Sequence, residues 1–127
     1  MRVEIIPCLR DNYSYLIINE NNNDACVVDP SEAKPVIDFI NKNNINLKYI
    51  LNTHHHYDHI GGNKELKEKY NATVVGFKND AKRIPEIDVL VEIGGNNKLY
   101  WPTKEFPVVY ATASPGDSIK INYNKCF

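Results

Sequence analysis

All four histidines of the chain fall within residues 54–59, beside a single carboxylate, Asp58. The residues before them, 47–51, are mostly apolar and typical of a buried strand, whereas Gly61 and Gly62 after them lead into a segment with helical spacing. Histidine is the commonest metal ligand and the side chain that titrates closest to neutral pH. This pattern favours an α/β fold in which a strand ends in a ligand-bearing loop and the loop ends in a helix.

The N-terminal part of the chain has the pattern of three short strands. Apolar and aromatic residues predict strands over 2–6, 13–19 and 25–28. Residues 19–24 are almost all Asn or Asp, which tolerate left-handed backbone angles, so they predict an exposed hairpin loop.

Helix and strand signals alternate after this hairpin. Apolar residues recur at helical spacing over 36–40 and predict a helix that ends in the polar run 41–44. Asn63 is the predicted cap of a second helix, which precedes a strand over 73–76. Two further strands are predicted over 110–112 and 118–123. Alternating strands and helices indicate a sheet whose strand ends gather the functional groups.

Composition favours one globular domain over residues 1–127, with 43% hydrophobic and 24% charged residues. The 15 Lys and Arg balance 16 Asp and Glu, whereas proteins that bind nucleic acid usually carry a basic excess. A small-molecule partner is therefore predicted, and no nucleic acid.

The three cysteines, Cys8, Cys26 and Cys126, form no C-x-x-C pair, and their odd number makes a poor disulfide framework. We interpret them as small buried hydrophobic residues in a reducing compartment. The N-terminus lacks the apolar stretch of a secretory signal, and no apolar run is long enough for a membrane span. The predicted location is cytoplasmic, with the mitochondrion as the alternative, and no membrane partner is expected.

The histidine cluster has the spacing of two adjacent metal sites. In an extended segment His54, His56 and Asp58 point to one side, and a bend before Gly61 can turn His59 towards Asp58. Imidazole and carboxylate donors favour zinc, iron or manganese over calcium. Two such ions can share a water and lower its pKa towards 7, which implies hydrolysis by a metal-bound hydroxide.

Residues 53–63, T-H-H-H-Y-D-H-I-G-G-N, closely resemble the metal-binding signature of glyoxalase II (hydroxyacylglutathione hydrolase) in the metallo-β-lactamase superfamily. Residues 11–17, D-N-Y-S-Y-L-I, and 27–30, V-V-D-P, resemble the opening strands of that family. The resemblance covers roughly residues 1–80. It implies an αββα sandwich with a mixed sheet and flanking helices, of which this chain is expected to form the N-terminal half.

The resemblance also implies ligand roles. His54 and His56 would hold the first of two zinc ions, and Asp58 and His59 the second, with iron or manganese as possible substitutes. Asp58 is therefore both a ligand and the predicted catalytic residue. The implied reaction is hydrolysis of a glutathione thioester such as S-lactoylglutathione, which detoxifies methylglyoxal. Asp29 is predicted either to orient a metal-bound histidine or to serve in a helix cap or turn.

The chain departs from the family pattern after residue 80. The family has a later histidine, a bridging aspartate and a further histidine; here Asp117 stands where the first of these belongs, or that histidine is deleted. We also expect the chain to lack the family's glutathione-binding helical region. We therefore expect a truncated domain that exposes one apolar sheet face and has little or no activity alone.

Two alternative functions follow from these departures. One is a non-catalytic metal-binding or interaction module. The other keeps the fold but changes the chemistry, to a single-iron dioxygenase acting on glutathione persulfides or to a metal-dependent nuclease.

Overall fold

The computed structural model of the chain describes residues 2–10, 12–53, 60–84, 86–91, 111–114 and 118–121. A six-stranded mixed sheet forms its centre, with strands in sequence order. The strands are β1 (Arg2–Cys8), β2 (Asn12–Asn19), β3 (Asp24–Val28), β4 (Asn46–Asn52), β5 (Thr73–Phe77) and β6 (Val89–Val91). Strand β2 is antiparallel to its neighbours β1 and β3, and β3 to β6 run parallel.

Two helices connect the parallel strands. Helix α1 (Ala33–Asn43) joins β3 to β4, and α2 (Asn63–Tyr70) lies between β4 and β5. Because successive parallel strands are added in one direction and such crossovers are right-handed, both helices cover the same sheet face. A 3₁₀ helix (Lys78–Arg83) follows β5, and β7 (Ala111–Ser114) pairs with β8 (Ser118–Ile121) in a separate sheet.

The main core lies between the two helices and the sheet. The spacing that predicted the helices is the spacing of their buried side chains, Val36 and Ile40 in α1 and Leu66 in α2. They pack against alternate strand residues that are fully or almost fully buried, namely Leu16, Ile18, Val27, Ile50 and Val74. Helix α1 ends where the polar run predicted, because Asn44 adopts the left-handed conformation at φ 54°.

The opposite face of the sheet is also buried across the middle strands. Ile17, Val28, Leu51 and Val75 on this face are 0% exposed. The prediction of an exposed apolar face is therefore wrong for these strands. Strands β3 to β5 are apolar on both faces, as is usual for strands inside a parallel sheet. Towards the β1 edge this face is exposed, with Ile5 in β1 at 58% and Tyr13 in β2 at 57%.

Most of the predicted elements are confirmed within one or two residues. The Asn-rich run forms the hairpin between β2 and β3, in which Asn23 has φ 63° and donates its N–H to the Asn19 carbonyl. Cys8 and Cys26 are buried free thiols, as predicted, whereas Cys126 lies outside the described residues. The short strand β6 was not predicted. No helix in the described ranges is long and apolar enough to cross a membrane.

Candidate metal centre

The histidine cluster follows the C-terminal end of β4, in the middle of the parallel part of the sheet. Strand β4 lies between β3 and β5 and ends at Asn52, two residues before His54. The predicted ligands His54, His56, Asp58 and His59 lie outside the described residues, as does Asp117. The structure therefore defines the two ends of the loop that carries these ligands, and the contacts that hold both ends.

Thr53, immediately before the first histidine, is bound by Asp29 at the end of β3. The Asp29 carboxylate accepts the Thr53 backbone N–H at 2.7 Å and also the Thr53 hydroxyl. Asp29 is 7% exposed, and its own N–H donates to the Leu51 carbonyl at 2.9 Å. The Ser14 hydroxyl donates to the Asp29 carbonyl at 2.8 Å. Strands β2, β3 and β4 thus converge on the start of the loop.

This arrangement decides between two of the roles predicted for Asp29. Glu32, not Asp29, occupies the position before α1, and no side chain caps that helix. The helix-cap prediction is therefore wrong, because both carboxylate oxygens are used by Thr53. Asp29 does adopt a turn conformation, with φ 51°. Its predicted effect on a metal-bound histidine stays a prediction, since the histidines lie outside the described residues.

The far end of the loop is held by Asn63, the first residue of α2. Its side chain exchanges two hydrogen bonds with Asn52: Asn52 Nδ2 donates to Asn63 Oδ1 at 3.2 Å, and Asn63 Nδ2 donates to Asn52 Oδ1 at 2.6 Å. The prediction that Asn63 caps the helix is wrong. Gly62 holds the cap position, and the Asn63 side chain is buried against the strand instead.

Gly62 brings the loop into backbone contact with the start of α1. Its N–H donates to the Pro30 carbonyl at 2.7 Å. A Cβ atom at this position would lie 2.9 Å from the Glu32 carbonyl carbon and 3.0 Å from the Pro30 oxygen. Only glycine permits this approach without moving one backbone away from the other.

A basic segment lies at the same edge of the sheet. Strand β5 is parallel to β4 with Gly76 opposite Asn52, so Lys78 begins the 3₁₀ helix close to the start of the histidine loop. Lys78, Ala81, Lys82 and Arg83 line a cavity of about 510 Å³. The sequence analysis did not identify this cavity, because it did not predict the 3₁₀ helix that brings these cations together.

The acidic and thiol groups of the described ranges do not form a metal site. No group of three His, Cys, Asp or Glu residues there could hold an ion. Cys8 is buried against the Ser14 hydroxyl, and Asp88 binds Lys67 Nζ at 2.7 Å and the Val74 N–H at 2.8 Å. Partial burial raises the pKa of Asp88, but the hydrogen bonds from Lys67 and Val74 and the Lys67 charge outweigh this, so the pKa lies below its ordinary value.

Comparison with known proteins supports the resemblance read from the sequence. The family model described as the metallo-beta-lactamase superfamily matches residues 9–117. The chain is 69% identical over 91 residues to a hydroxyacylglutathione hydrolase from Pelagibacter ubique, a match covering 72% of this chain and 38% of that protein. It is 50% identical over 68 residues to a protein from Arabidopsis thaliana named hydroxyacylglutathione hydrolase cytoplasmic, covering 54% of this chain and 26% of that one.

A solved structure confirms the predicted fold class. The crystal structure of BLEG-1 B3 metallo-beta-lactamase superposes with a TM-score of 0.75 at 20% sequence identity, and the match covers 98% of this chain and 68% of that one. The mixed sheet with helices on it is therefore the metallo-β-lactamase type of sheet. The chain spans well under half of the length of the curated relatives described above, 38% and 26% respectively.

Proposed function

The chain belongs to the metallo-β-lactamase superfamily, and on that premise we propose that it provides the metal-binding part of a thioester hydrolase that acts on glutathione thioesters. The observation that carries the proposal is the attachment of the histidine loop. Thr53, the residue before the first histidine, is fixed through both its backbone N–H and its hydroxyl to a buried carboxylate at the sheet edge. A surface loop with incidental histidines has no need of such an anchor.

The donor set of the loop fits zinc. His54 and His56 offer two imidazoles, and Asp58 and His59 offer a carboxylate and an imidazole, which are the ligands that catalytic zinc sites use. We propose that the first pair holds one ion and the second pair another, with iron or manganese as substitutes. When bound, such ions supply a hydroxide at neutral pH and polarise a carbonyl group.

The proposed reaction cleaves the bond between the acyl carbon and sulfur. Water adds its oxygen to the acyl group, and the products are a carboxylic acid and the free thiol of glutathione. A thiol of pKa about 8.5 is a good leaving group, so the chain needs no strong general acid beside the sulfur. Residues of this chain hold both ends of the ligand-bearing loop: Asp29 accepts the N–H of Thr53 at its start, and the Pro30 carbonyl accepts the N–H of Gly62 at its far end.

The basic segment after β5 supports an anionic substrate. Glutathione carries two carboxylates, and the cavity lined by Lys78, Lys82 and Arg83 lies on the sheet edge from which the histidine loop emerges. Positive groups along a cleft raise the local concentration of an anionic ligand. We propose that one glutathione carboxylate binds there. For its location we propose the cytoplasm, in line with the name of the plant relative.

Zinc titration and thioester hydrolysis test the proposal together. We expect the purified chain to bind two zinc ions, with much weaker binding after His54→Ala. We expect slow loss of the thioester absorbance of S-lactoylglutathione, because the loop supplies only two protein ligands for each ion, whereas a catalytic zinc usually has three. Lys34→Ala is the control, since Lys34 is 82% exposed on α1 and pairs only with Asp38 among the described residues.

This experiment, with elemental analysis of the bound metal, separates the hydrolase from the metal-binding module and from the dioxygenase. Zinc binding that is weak and unchanged by His54→Ala would refute the proposed metal centre. Tight binding of two ions with no hydrolysis would leave a metal-binding module. One bound iron would favour the dioxygenase over the hydrolase. Turnover comparable with that of the whole Pelagibacter relative would contradict the expectation that this chain alone is slow.

A further inference from the structure

A pair of buried amides joins the two ends of the histidine loop. Asn52 is the last residue of β4 and Asn63 is the first residue of α2, so the pair encloses residues 53–62. Each amide both donates to and accepts from the other, at 3.2 Å and 2.6 Å. Asn52 is 0% exposed and Asn63 is 1% exposed. Nothing in the sequence analysis assigned a role to this pair.

Two buried amides are unusual at positions whose only role is to fill space in the core. A buried amide without a partner costs free energy, whereas an apolar pair of the same shape fills the space without that requirement. Unlike apolar packing, two reciprocal hydrogen bonds depend on the distance and angle between the groups. They fix the distance and the rotation of the start of α2 relative to the end of β4.

The amide pair works together with two neighbouring contacts. Asp29 binds Thr53, the first residue inside the loop, and the Pro30 carbonyl accepts the N–H of Gly62, the last residue inside it. The loop is therefore closed at its base by hydrogen bonds on both sides. Asp29 and Pro30 are consecutive residues, so both ends of the loop are bound to the same short segment after β3.

We infer that Asn52 and Asn63 are positioning residues for the metal ligands. Their hydrogen bonds hold the two ends of the loop at a fixed separation, which limits the conformations open to the segment that carries the four candidate ligands. This inference rests on the proposed function, because it requires the loop to bind metal. When residues that orient metal ligands without binding the metal are replaced, metal affinity typically falls by about 10- to 100-fold.

The test replaces the amides by their apolar isostere. The double variant Asn52→Leu/Asn63→Leu leaves no unpaired amide between the two positions and keeps the branched shape of both side chains, so the metal-free chain is expected to fold. Its zinc affinity, measured by competition with a chromogenic chelator, is expected to fall by about 10- to 100-fold. The absorption spectrum of the cobalt(II)-loaded chain is expected to change, because the ligand geometry is no longer fixed.

A milder variant tests the inference if the double variant does not fold. Asn52→Thr keeps one hydroxyl that can bond to Asn63, and threonine suits a strand. We expect it to fold and to lose zinc affinity by a smaller factor. A control for general loss of stability is Val36→Ala, which removes buried side-chain volume from α1, and its zinc affinity is expected to stay unchanged.

The outcomes separate this inference from the proposed function. If the unaltered chain binds zinc no better than His54→Ala, the proposed metal centre fails and the inference fails with it. If His54→Ala weakens binding but the folded Asn52 and Asn63 variants keep the full zinc affinity and the unaltered cobalt spectrum, only the inference is refuted. The amide pair would then be a structural contact without effect on the ligands.

Discussion

The carboxylate of Asp29 accepts two hydrogen bonds from Thr53, one from the backbone N–H at 2.7 Å and one from the side-chain hydroxyl. The two residues lie 24 positions apart in the sequence. Each directly follows one of two neighbouring parallel strands, β3 and β4, and the histidines begin directly after Thr53. The sheet therefore supplies a fixed starting point for the loop through one buried charge.

Removing this carboxylate is expected to destabilise the chain strongly. Asp29→Ala leaves the Thr53 N–H and hydroxyl without these acceptors in a buried place, and hydrogen bonds to a charged group contribute about 1.5–3 kcal/mol each. We expect the free energy of unfolding in urea to fall by about 2–4 kcal/mol. The matched control Asp38→Ala, whose carboxylate is 55% exposed and pairs with Lys34, should change it by less than about 0.5 kcal/mol. Equal effects would contradict the assigned role of Asp29.

The strands and helices were predictable because their apolar residues recur with the period of the element they form. Val36 and Ile40 repeat at helical spacing and are both buried against the sheet. Strand β6 escaped prediction because Val89–Val91 is too short to show a period. The burial of both sheet faces was also missed, since a continuous apolar run such as Ala25–Val28 does not reveal what covers its second face.

For the candidate site, the sequence predicts the ligands but not the contacts that hold their loop. Imidazole and carboxylate donors can be recognised by residue type, so residues 54–59 stand out in the sequence. The contacts that hold their loop join residues far apart in sequence, such as Asn52 with Asn63, and each partner alone has an ordinary local explanation. Asn63 before a helical segment resembles a cap, and only the fold shows that its amide turns inward to the strand.

Gly62 is expected to tolerate alanine less well than Gly76 does. A Cβ at Gly62 would meet backbone atoms at 2.9–3.0 Å, whereas a Cβ at Gly76 would meet the side-chain ends of Ile84 and Ile87, which can rotate away. We expect Gly62→Ala to lower the free energy of unfolding by about 1–3 kcal/mol, the usual cost of overpacking, and Gly76→Ala by less. Zinc affinity should fall only for Gly62→Ala. The reverse order would contradict the close approach of the loop to α1.

Lys82 is expected to contribute to glutathione binding. We propose measuring the binding of S-methylglutathione, a thioether that cannot be hydrolysed, by calorimetry at low salt. Lys82→Glu reverses one charge on the cavity wall and should weaken binding by about tenfold, with a smaller effect at high salt because charges at a surface are screened. Lys48→Glu, at the opposite end of β4, is the control and should have no effect. Equal weakening by both variants would show that the effect comes from the net charge of the chain and not from the cavity.

Replacing Tyr70 with phenylalanine is expected to stabilise the fold. Its hydroxyl is buried without a hydrogen-bond partner among the residues that the structure describes, and burial raises its pKa. Removing an unpaired buried hydroxyl removes its desolvation cost, so Tyr70→Phe should raise the free energy of unfolding by about 1 kcal/mol. Tyr13→Phe, at a side chain that is 57% exposed, should leave it unchanged. A less stable Tyr70→Phe variant would show that the hydroxyl has a partner in solution.

Asp88 gives the chain a stability that depends on pH in the acidic range. Its pKa in the folded chain lies below the ordinary value of about 3.9, because the Lys67 and Val74 hydrogen bonds favour the charged form. A carboxyl group whose folded pKa is lowered stabilises the fold fully above the unfolded pKa, and this contribution is lost as the pH falls through the folded pKa.

The variant Asp88→Asn isolates this contribution, since its amide oxygen can still accept the Val74 N–H. We expect the variant to be less stable than the unaltered chain at pH 7, by about 1 kcal/mol or less, because the Asp88 side chain is 37% exposed and solvent screens its pair with Lys67. The difference should shrink as the pH is lowered below about 4 and vanish when Asp88 is protonated in the folded chain. Urea unfolding at a series of pH values measures it. A difference that stays constant from pH 7 into the acid range would show that the charge of Asp88 does not contribute to stability.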